Sequence, residues 1–359
     1  MKNVLVMGSG KIGQMIAMML AESGDYHVTV ADCDPVGLAK LPIHAKIKPL
    51  ELNVNDDAAL NAALTGQYAV LSALPFALTT RVARAAVAVG VHYFDLTEDV
   101  ACTRVVKDLA QGAETALVPQ CGLAPGFISI CAHDLAGRYD HLQDVKMRVG
   151  ALPKYPANAM KYALTWSTEG LINEYLNPCE AVVNGALKEV PPLEELETFS
   201  LDGVDYEAFN TSGGLGTLCE TFEGKVNNLN YRTVRYPGHR DILKLLLQDL
   251  RLGERPELVK DIFETALPFA SEDVVLVFVS VTGKKQGRFV QDVFTQKYYA
   301  QEIGGQVWSA IQITTASGIC AMVDMLAQGQ LKQSGFLRQE DADFETFINN
   351  RFGRYYAAA

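Results

Sequence analysis

The chain has 359 residues, of which 49% are hydrophobic and 20% charged, a composition typical of a globular protein long enough for two domains. Its formal net charge of −11 does not supply the positive field with which proteins usually bind nucleic acids or anionic membranes, so we expect neither partner. No run approaches the ~20 apolar residues that cross a bilayer, and we expect no membrane segment.

Seven cysteines are scattered along the sequence, an odd number that contains no C-x-x-C pair. This pattern predicts neither a disulfide framework nor a metal site, and reduced thiols are typical of a cytoplasmic protein. The N-terminus carries a single lysine before "NVLVMGSG", which begins a strand directly and is too short and glycine-interrupted for a signal peptide. We therefore expect a cytoplasmic protein that binds no metal.

The N-terminal segment places a glycine-rich turn between a strand and a helix. An apolar run, Val4 to Met7, precedes the turn, and a helical pattern follows it from Lys11 to about Ser23. The turn has the spacing G-x-G-x-x-G, with Gly8, Gly10 and Gly13. Such glycines allow the tight turn, the approach of a pyrophosphate to the backbone and close packing of helix on strand. The segment therefore predicts a dinucleotide-binding βαβ unit.

A second strand pattern, His27 to Ala31, ends at Asp32, where a ribose-binding carboxylate belongs. Asp32 would accept hydrogen bonds from the ribose 2′- and 3′-hydroxyls and repel a 2′-phosphate, and no arginine follows it directly in "DCDP". This favours NAD as the cofactor, with NADP left open, while the alternative role of Asp32 is a helix or turn cap. The predicted cofactor-binding residues are Gly8, Ser9, Gly10, Lys11, Ile12, Gly13, Asp32, Ser72, Ala73, Leu74 and Pro75.

Short apolar strands continue to alternate with helices as far as "ALVPQCG", which predicts an α/β fold with a Rossmann-type, doubly wound parallel sheet. We assign this domain to residues 1–122. Ligands of such sheets bind at the carboxyl ends of the strands. Three segments lie at such ends: "SALP" at 72–75, "DLTED" at 95–99 and "CGLAPGF" at 121–127.

Residues 123–306 predict a second domain that contains both strands and helices. Its clearest element is a hairpin, Val274 to Val281 and Gly287 to Phe294, which alternates around "TGKK". We expect an antiparallel sheet with helices on one face. The segment "NYRTVRYPGH", Asn230 to His239, predicts a strand that ends in a Pro-Gly turn, and the apolar run after Val307 predicts a core helix.

Five segments beyond the glycine-rich turn carry a resemblance. They are "SALPFALTTRVARAAVAVGVHYFDLTED", "CGLAPGF", "LTWSTEGLINEYLNPCEAVVNG", "EAFNTSGGLG" and "TVRYPGH", in this order. Over nearly the whole chain the sequence resembles the saccharopine dehydrogenase superfamily, and most closely its lysine 6-dehydrogenase branch. The resemblance implies that residues 123–306 form a mixed α+β domain for substrate binding and dimerisation and that helices in 307–359 return to complete the nucleotide domain. It also implies a homo-oligomer (a dimer or larger) and oxidation of an amino acid at a CH–NH group.

The resemblance leaves the substrate open. Ala124 and Ser129 stand where saccharopine reductases commonly carry Asp and His, and "DLTED" differs from the glycine-rich loop usual in lysine dehydrogenases. The candidates are lysine and a saccharopine-like secondary amine. One alternative is reductive condensation of an aldehyde with an amine, as in saccharopine or carboxynorspermidine formation, and another is a nucleotide-sensing protein without turnover.

Two residues of "RYPGH" are the candidates for substrate chemistry. Arg235 would pair bidentately with the α-carboxylate of an amino acid. His239 would act as general base or hold the water that hydrolyses the imine, given a pKa near neutrality. Without the resemblance, a solvated strand arginine and a surface turn histidine would be the simpler interpretations.

Further candidates come from the predicted strand ends and from the second domain. Asp95, Thr97 and Glu98 lie at the end of a predicted strand, where a carboxylate of Asp95 or Glu98 can meet nicotinamide and substrate, although a helix N-cap also explains Thr97. Gly126 opens a helix whose free N–H groups could bind a carboxamide or a carboxylate, the alternative being a plain Pro-Gly turn. The remaining residues predicted to line the substrate pocket are Trp166, Glu169 and Tyr236, with a core position as the alternative for Trp166.

Overall fold

A computed structural model describes residues 1–270 and 272–357. The chain divides into two compact units. The first comprises Met1–Phe127, Glu302–Gln306 and Gln312–Ala359, of which the last two residues lie outside the described ones, and the second comprises Ile128–Gln301 and Val307–Ile311. The C-terminal segment therefore belongs with the N-terminal unit.

The first unit contains a seven-stranded sheet in which all paired strands are parallel. The strands are β1 Lys2–Met7, β2 Tyr26–Asp32, β3 Ile47–Glu51, β4 Ala69–Ser72, β5 His92–Asp95, β6 Ala116–Val118 and β17 Gly335–Phe336. Their order in the sheet is β17-β6-β5-β4-β1-β2-β3, which confirms the predicted doubly wound fold. The helices between them are α1 Lys11–Glu22, α2 Pro35–Leu38, α3 Asp57–Leu64, α4 Phe76–Val89 and α5 Val100–Leu109.

The C-terminal segment contributes helices α11 (Ala310–Ala327) and α12 (Phe344–Asn349). By length and composition alone α11 could cross a membrane, contrary to our expectation that no run is long enough, but 83% of it is buried inside the fold. Its Asp324 accepts hydrogen bonds from the Tyr26 hydroxyl at 2.7 Å and from Arg351 at 2.6 Å. This buried network joins α11 to the start of β2.

The second unit is built on an eight-stranded mixed sheet. Its strands are β7 His141–Pro153, β8 Cys179–Val183, β9 Ala186–Val190, β10 Glu197–Leu201, β11 Val204–Asn210, β12 Val226–Arg235, β13 Asp273–Lys285 and β14 Arg288–Tyr299. Its helices are α6 Phe127–Ala136, which begins at the last residue of the first unit, α7 Thr168–Leu176, α8 Leu218–Phe222, α9 His239–Lys244 and α10 Pro256–Ala266. A short ladder, β15 Gln301–Ile303 and β16 Gln306–Trp308, follows.

Two expectations for this sheet are corrected. Strand β12 pairs in parallel with β7 and antiparallel with β11, so the sheet is not purely antiparallel and the segment 230–235 lies in its interior. The hairpin turns at Gln286 and Gly287, both with positive φ, while "TGKK" continues β13. A two-residue turn with positive φ at both positions matches the twist of the flanking strands.

Side chains of β12 alternate between the two faces of the sheet. On the inner face, Arg235 contacts Tyr175 of helix α7, and Phe209 of β11 packs with Tyr175 in the same apolar cluster. On the outer face, Val234 packs in a separate cluster with Tyr206 and, at its margin, Tyr236. This alternation decides which residues of "TVRYPGH" can act together.

Candidate functional site

The glycine-rich turn of the first unit has the geometry that a bound phosphate requires. Gly8 has a φ of +105°, and a Cβ there would stand 2.9 Å from the Ala73 carbonyl oxygen. A Cβ on Gly13 would overlap the Gly8 carbonyl. By contrast, no atom of the described residues lies within 4 Å of the Cβ position of Gly10, the residue before α1, and none of their side chains caps that helix. The open N-terminus of α1 therefore fits the pyrophosphate of a dinucleotide.

Asp32 closes the carboxyl end of β2 beside this turn. Its Oδ2 accepts hydrogen bonds from Ser9, and its Oδ1 accepts one from the Asp34 backbone at 2.9 Å. Burial raises the pKa of Asp32, but the hydrogen bonds from Ser9 and Asp34 outweigh it, so the pKa lies below its usual value. A fixed, ionised carboxylate at this position suits the ribose hydroxyls of a dinucleotide.

The predicted segment 72–75 borders the same turn. The backbone nitrogen of Ala73 donates to the Met7 carbonyl at 2.8 Å, which draws β4 against β1. Pro75 is the residue before α4, and Leu74 approaches the Cβ position of Gly8 at 3.6 Å. The Ser72 hydroxyl is buried and finds no hydrogen-bond partner among residues 1–270 and 272–357, as expected beside a ligand site.

Asp95 does not reach the surface, which corrects its expected contact with a substrate. Its side chain is 0% exposed and accepts hydrogen bonds from the backbone of Thr97 at 3.0 Å, the backbone of Gln120 at 2.8 Å and the Tyr93 hydroxyl at 2.7 Å. Burial raises the pKa of Asp95 to about 6 although these bonds oppose it. Thr97 accepts a bond from the Asp99 backbone at 3.1 Å, so both side chains organise the loop.

Glu98 of "DLTED" keeps partial contact with solvent, unlike the buried Asp95 and Thr97. Its side chain is half-buried in the loop before α5, whereas Asp99 caps that helix through a 2.7 Å bond from the Cys102 backbone. Burial raises the pKa of Glu98 to about 7, and the charges of Asp99 and Asp95 act in the same direction. Glu98 therefore has the properties of a general acid or base at neutral pH.

Arg235 is the central cation of the second unit. Its side chain is 2% exposed, and its guanidinium lies 5.2 Å from the Tyr162 ring centre and 5.9 Å from that of Tyr175. Nε donates to the Tyr175 hydroxyl at 3.0 Å and Nη1 to the Val234 carbonyl at 2.8 Å. Burial lowers the pKa of Arg235, but Tyr175, Tyr162 and the buried Glu174 raise it by more than burial lowers it. The pKa therefore lies above its usual value, and Arg235 stays charged.

His239 begins helix α9 and is 1% exposed. Its Nδ1 lies 2.9 Å from the Met160 carbonyl and its Nε2 lies 3.2 Å from the Tyr175 hydroxyl. Burial lowers the pKa of His239 to about 3, and the charge of Arg235 lowers it further. The expected titration near neutrality is therefore wrong, because the imidazole is buried next to a permanent cation.

Two residues that sequence reasoning missed hold the turn in place. Tyr175 joins Arg235 to His239, and Glu207 of β11 lies opposite Arg235 in the β11–β12 register. Glu207 accepts hydrogen bonds from the backbone nitrogens of Gly238 at 2.8 Å and Arg240 at 2.7 Å. Tyr175 carried a signal: it lies four residues after the buried Leu171 on one helical face, and a buried tyrosine needs a polar partner.

Three predicted pocket residues are not brought to Arg235. Tyr236 lies on the outer face, where its hydroxyl donates to the Pro153 carbonyl at 2.9 Å, because neighbouring strand residues face opposite ways. Glu169 pairs with Lys260 of α10, both partly exposed. Trp166 is partly buried against the apolar cluster of α7, which is the core position that we named as its alternative.

Gly126 is required by the backbone conformation of the turn before α6. It has a φ of +134°, and a Cβ there would overlap the Gly122 carbonyl, with which the Phe127 backbone forms a 3.0 Å hydrogen bond. Glycine is required for this conformation and close approach. The Ser129 hydroxyl, two residues into α6, is buried with no partner within the described part of the chain.

Two family models match the chain. The model described as "Saccharopine dehydrogenase NADP binding domain" matches residues 4–118, and that described as "Saccharopine dehydrogenase C-terminal domain" matches residues 122–352. The second match alone covers more than half of the chain.

Curated proteins of the same kind show low identity. The chain is 25% identical over 262 residues to a saccharopine dehydrogenase (NADP+, L-glutamate-forming) of Pyricularia oryzae, which covers 68% of this chain and 57% of that protein. It is 25% identical over 198 residues to the protein of that name from Saccharomyces cerevisiae. That match covers 53% of this chain and 44% of the yeast protein. The chain thus spans about half the length of these relatives.

Solved structures resemble the whole chain. Apo saccharopine dehydrogenase (L-Glu forming) from Saccharomyces cerevisiae matches with a TM-score of 0.76 at 18% identity and covers 96% of this chain and 95% of that one. The DAP dehydrogenase of C. glutamicum in complex with DAP matches with a TM-score of 0.52 at 12% identity and covers 99% and 98%. At these identities the likeness shows the fold.

Proposed function

Because the chain belongs to the saccharopine dehydrogenase family, as its motifs predicted, we propose that it is an NAD-dependent oxidoreductase acting on the CH–NH group of a lysine-like amino acid. The observation that carries the proposal is a buried, charged arginine, Arg235, that forms no ion pair with a carboxylate among residues 1–270 and 272–357. A buried guanidinium that no carboxylate contacts directly still has donors to offer, so such a group favours an anionic ligand.

The number of buried cations supports a substrate with one carboxylate. In the described part of the second unit, two arginine side chains are fully buried, Arg148 and Arg235, and the buried His239 is neutral. Arg148 is neutralised on the outer face by Glu197. One anchoring guanidinium suits lysine, which carries a single carboxylate, better than saccharopine, which carries three. The absence of Asp and His at Ala124 and Ser129 agrees with this choice.

The cofactor class follows from the family and the glycine-rich turn. A nicotinamide dinucleotide, when bound, supplies the hydride acceptor of the reaction. Gly8, Gly10 and Gly13 would hold its pyrophosphate at α1, and the Asp32 carboxylate would hold its adenosine ribose. We propose NAD, although the matched model and the relatives are named for NADP, because an ionised Asp32 repels a 2′-phosphate.

The chain's own groups have separate tasks in the proposed reaction. Arg235 binds the α-carboxylate and fixes the substrate, which removes much of the entropic cost of reaction. Loss of hydride from the carbon that bears the amine leaves an imine, whose hydrolysis gives the semialdehyde and ammonia. Glu98, with its pKa raised to about 7, is the candidate that takes a proton from the amine or from the attacking water.

The test is incubation of the purified protein with NAD or NADP and a panel of lysine, ornithine, saccharopine and diamines, with NADH followed by absorbance. Turnover of lysine with NAD is the expected result. Turnover of saccharopine alone would favour the activity named for the relatives, and consumption of NADPH that depends on both an aldehyde and an amine would favour the condensing reaction. Dinucleotide binding with silence across both assays would remove the enzymatic proposal.

We also propose a cytoplasmic homo-oligomer, a dimer or larger. All seven cysteines are free thiols, which suits a reducing compartment. The edge strand β14 exposes Phe289, Val293 and Tyr299, which are 66%, 48% and 47% accessible. Light scattering coupled to size exclusion measures the mass directly, and a mass near 39.1 kDa would contradict the oligomer.

A further inference from the structure

The hydrogen bonds around Arg235 have one consistent direction. The Met160 carbonyl can only accept, so Nδ1 of His239 carries the imidazole proton. Nε2 is then an acceptor, and the Tyr175 hydroxyl donates a hydrogen bond to it at 3.2 Å. The Tyr175 oxygen in turn accepts from Nε of Arg235 across 3.0 Å. The chain runs from a permanent cation to a backbone carbonyl, with each donor paired to one acceptor.

This direction leaves His239 without a free site for a substrate proton. Both ring nitrogens are engaged, one as donor and one as acceptor, and the side chain is 1% exposed. A general base must lie within hydrogen-bond reach of the proton that it removes. His239 instead determines where the Tyr175 hydroxyl points.

The same chain fixes the plane of the guanidinium. The Nε bond to Tyr175 and the Nη1 bond to the Val234 carbonyl hold two corners of the group, and the ring of Tyr162 covers it. The hydrogen bonds of Arg235 within the described residues use Nε and Nη1, so the Nη2 protons have no acceptor there. A planar fork held in this way is ordered before a carboxylate arrives.

Resting on the proposed function, we propose that Tyr175 and His239 are positioning residues that hold Arg235 in the orientation that binds the substrate carboxylate, and that His239 is not the catalytic base. Glu207 supports the arrangement, because its carboxylate binds the backbone of Gly238 and Arg240 on either side of His239. The imidazole is thereby fixed at the start of α9.

Three single variants test the proposal through KM and kcat. Tyr175→Phe removes only the hydroxyl and should raise the KM for the amino acid at least about tenfold, since a hydrogen bond to a charged group is lost, with kcat within about threefold. His239→Leu should act in the same way. His239→Gln places an amide oxygen near the Nε2 position and should restore KM and kcat to within about threefold of wild type.

A base role predicts a different pattern. His239→Gln would then lower kcat by about 100-fold or more, because an amide cannot take the proton, and this result would overturn the proposal. An unchanged KM in Tyr175→Phe would overturn it as well. The double variant Tyr175→Phe/His239→Leu should be no worse than either single variant, because both act through one chain of bonds.

Glu194→Gln is the matched control. Glu194 pairs with Arg240 and Lys244 on the same helix α9 but is partly exposed, so its loss perturbs the helix without touching the chain of bonds. Its KM and kcat should stay near wild type. If Glu194→Gln raised KM as much as Tyr175→Phe, general loosening of α9 would explain both effects and the proposal would fall.

Binding of L-norleucine, an α-amino acid without the ε-amine, separates this inference from the proposed function. Calorimetry should show binding to wild type and about tenfold weaker binding to Tyr175→Phe, whether or not lysine is oxidised. Absence of turnover with this pattern intact would remove the proposed reaction and leave the positioning role. Equal binding by the two proteins, or none by wild type, would overturn the positioning role.

Discussion

Ser9 donates two hydrogen bonds to one carboxylate oxygen of Asp32, from its backbone nitrogen at 2.7 Å and from Oγ at 2.8 Å. Gly37 of α2 lies so close that a Cβ there would overlap the Ser9 hydroxyl. The carboxylate is thus held in place before any ligand binds, and a 2′-phosphate would meet a fixed negative charge. We propose that cofactor selectivity in this chain depends on the Ser9–Asp32 pair.

We expect wild type to use NAD at least about tenfold more efficiently than NADP, in kcat/KM. Asp32→Ser removes the charge and the two ribose acceptors, so the KM for NAD should rise and the preference should shrink or reverse, since like-charge repulsion is worth on the order of 1–2 kcal/mol. Steady-state kinetics with both cofactors, or fluorescence titration with NADH and NADPH, measures the change.

Asp34→Asn is the control for this substitution. Asp34 caps α2 by accepting from the Val36 and Gly37 backbones, and asparagine caps equally well. The variant removes a neighbouring charge and leaves the Ser9 contact intact. A wild-type preference for NADP, or an Asp32→Ser variant with unchanged selectivity, would show that Asp32 does not read the ribose.

Arg235→Lys should raise the KM for the amino acid by about 10- to 100-fold and leave the KM for NAD unchanged. Lysine keeps the charge but loses the planar fork and the Nε bond to Tyr175. Arg232→Lys is the matched control, because Arg232 lies on the outer face of the same strand and pairs there with Glu195 and Glu197. Equal effects of the two variants would indicate a defect of the strand rather than of carboxylate binding.

The glycine-rich turn and Asp32 could be predicted from sequence because their geometry is local. A strand, three glycines and a carboxylate at fixed spacing suffice, and the structure places them together as that spacing requires. Nothing local predicts Glu207. It meets the turn at Gly238 only through the β11–β12 register, and strand pairing over such a separation leaves no mark on either segment.

Two errors had different causes. The separation of Tyr236 from Arg235 was available from the period of a strand, which sends neighbouring side chains to opposite faces. The low pKa of His239 was not available, because it depends on burial beneath Tyr175 and beside Arg235, and both follow from tertiary packing around an interior strand. A pKa that depends on both burial and a neighbouring charge therefore cannot be predicted from one sequence.

Asp95→Asn should fold and should be more stable than wild type at neutral pH. An asparagine oxygen can still accept from Thr97 and Gln120, and its amide can donate to Tyr93, whose hydroxyl already reaches the Thr79 carbonyl at 3.3 Å. Burial raises the folded-state pKa of Asp95 from 3.8 to about 6. The contribution of this carboxyl to the free energy of unfolding is therefore fully present below pH 3.8 and is lost as the pH rises through 6.

Denaturant unfolding at several pH values measures this effect. The difference in unfolding free energy between Asp95→Asn and wild type should grow from near pH 4 to pH 6 and then level off, at a value on the order of 3 kcal/mol or less. A variant that loses stability equally at pH 4 and pH 8 would mean that the carboxylate is needed as an anion to hold the 95–99 loop.

Glu98→Gln should remove the acid limb of the pH profile. With a pKa of about 7, the Glu98 carboxyl is protonated below neutrality and cannot accept a proton, so log kcat of wild type should fall as pH drops through 7. The glutamine variant should lose about 100-fold or more in kcat near pH 8 and show no inflection near 7, with the KM for NAD unchanged.

Asp99→Asn separates this role from the structure of the loop, because asparagine preserves the cap of α5 while removing the adjacent charge. Asp99 also raises the pKa of Glu98, so its neutralisation should shift the wild-type inflection slightly towards lower pH without abolishing it. An inflection that stays at 7 in Glu98→Gln would assign it to another group. An inflection near 6 that disappears in Asp95→Asn would place the titration on the buried carboxyl, and proton transfer would then have to pass through the loop rather than from its half-buried glutamate.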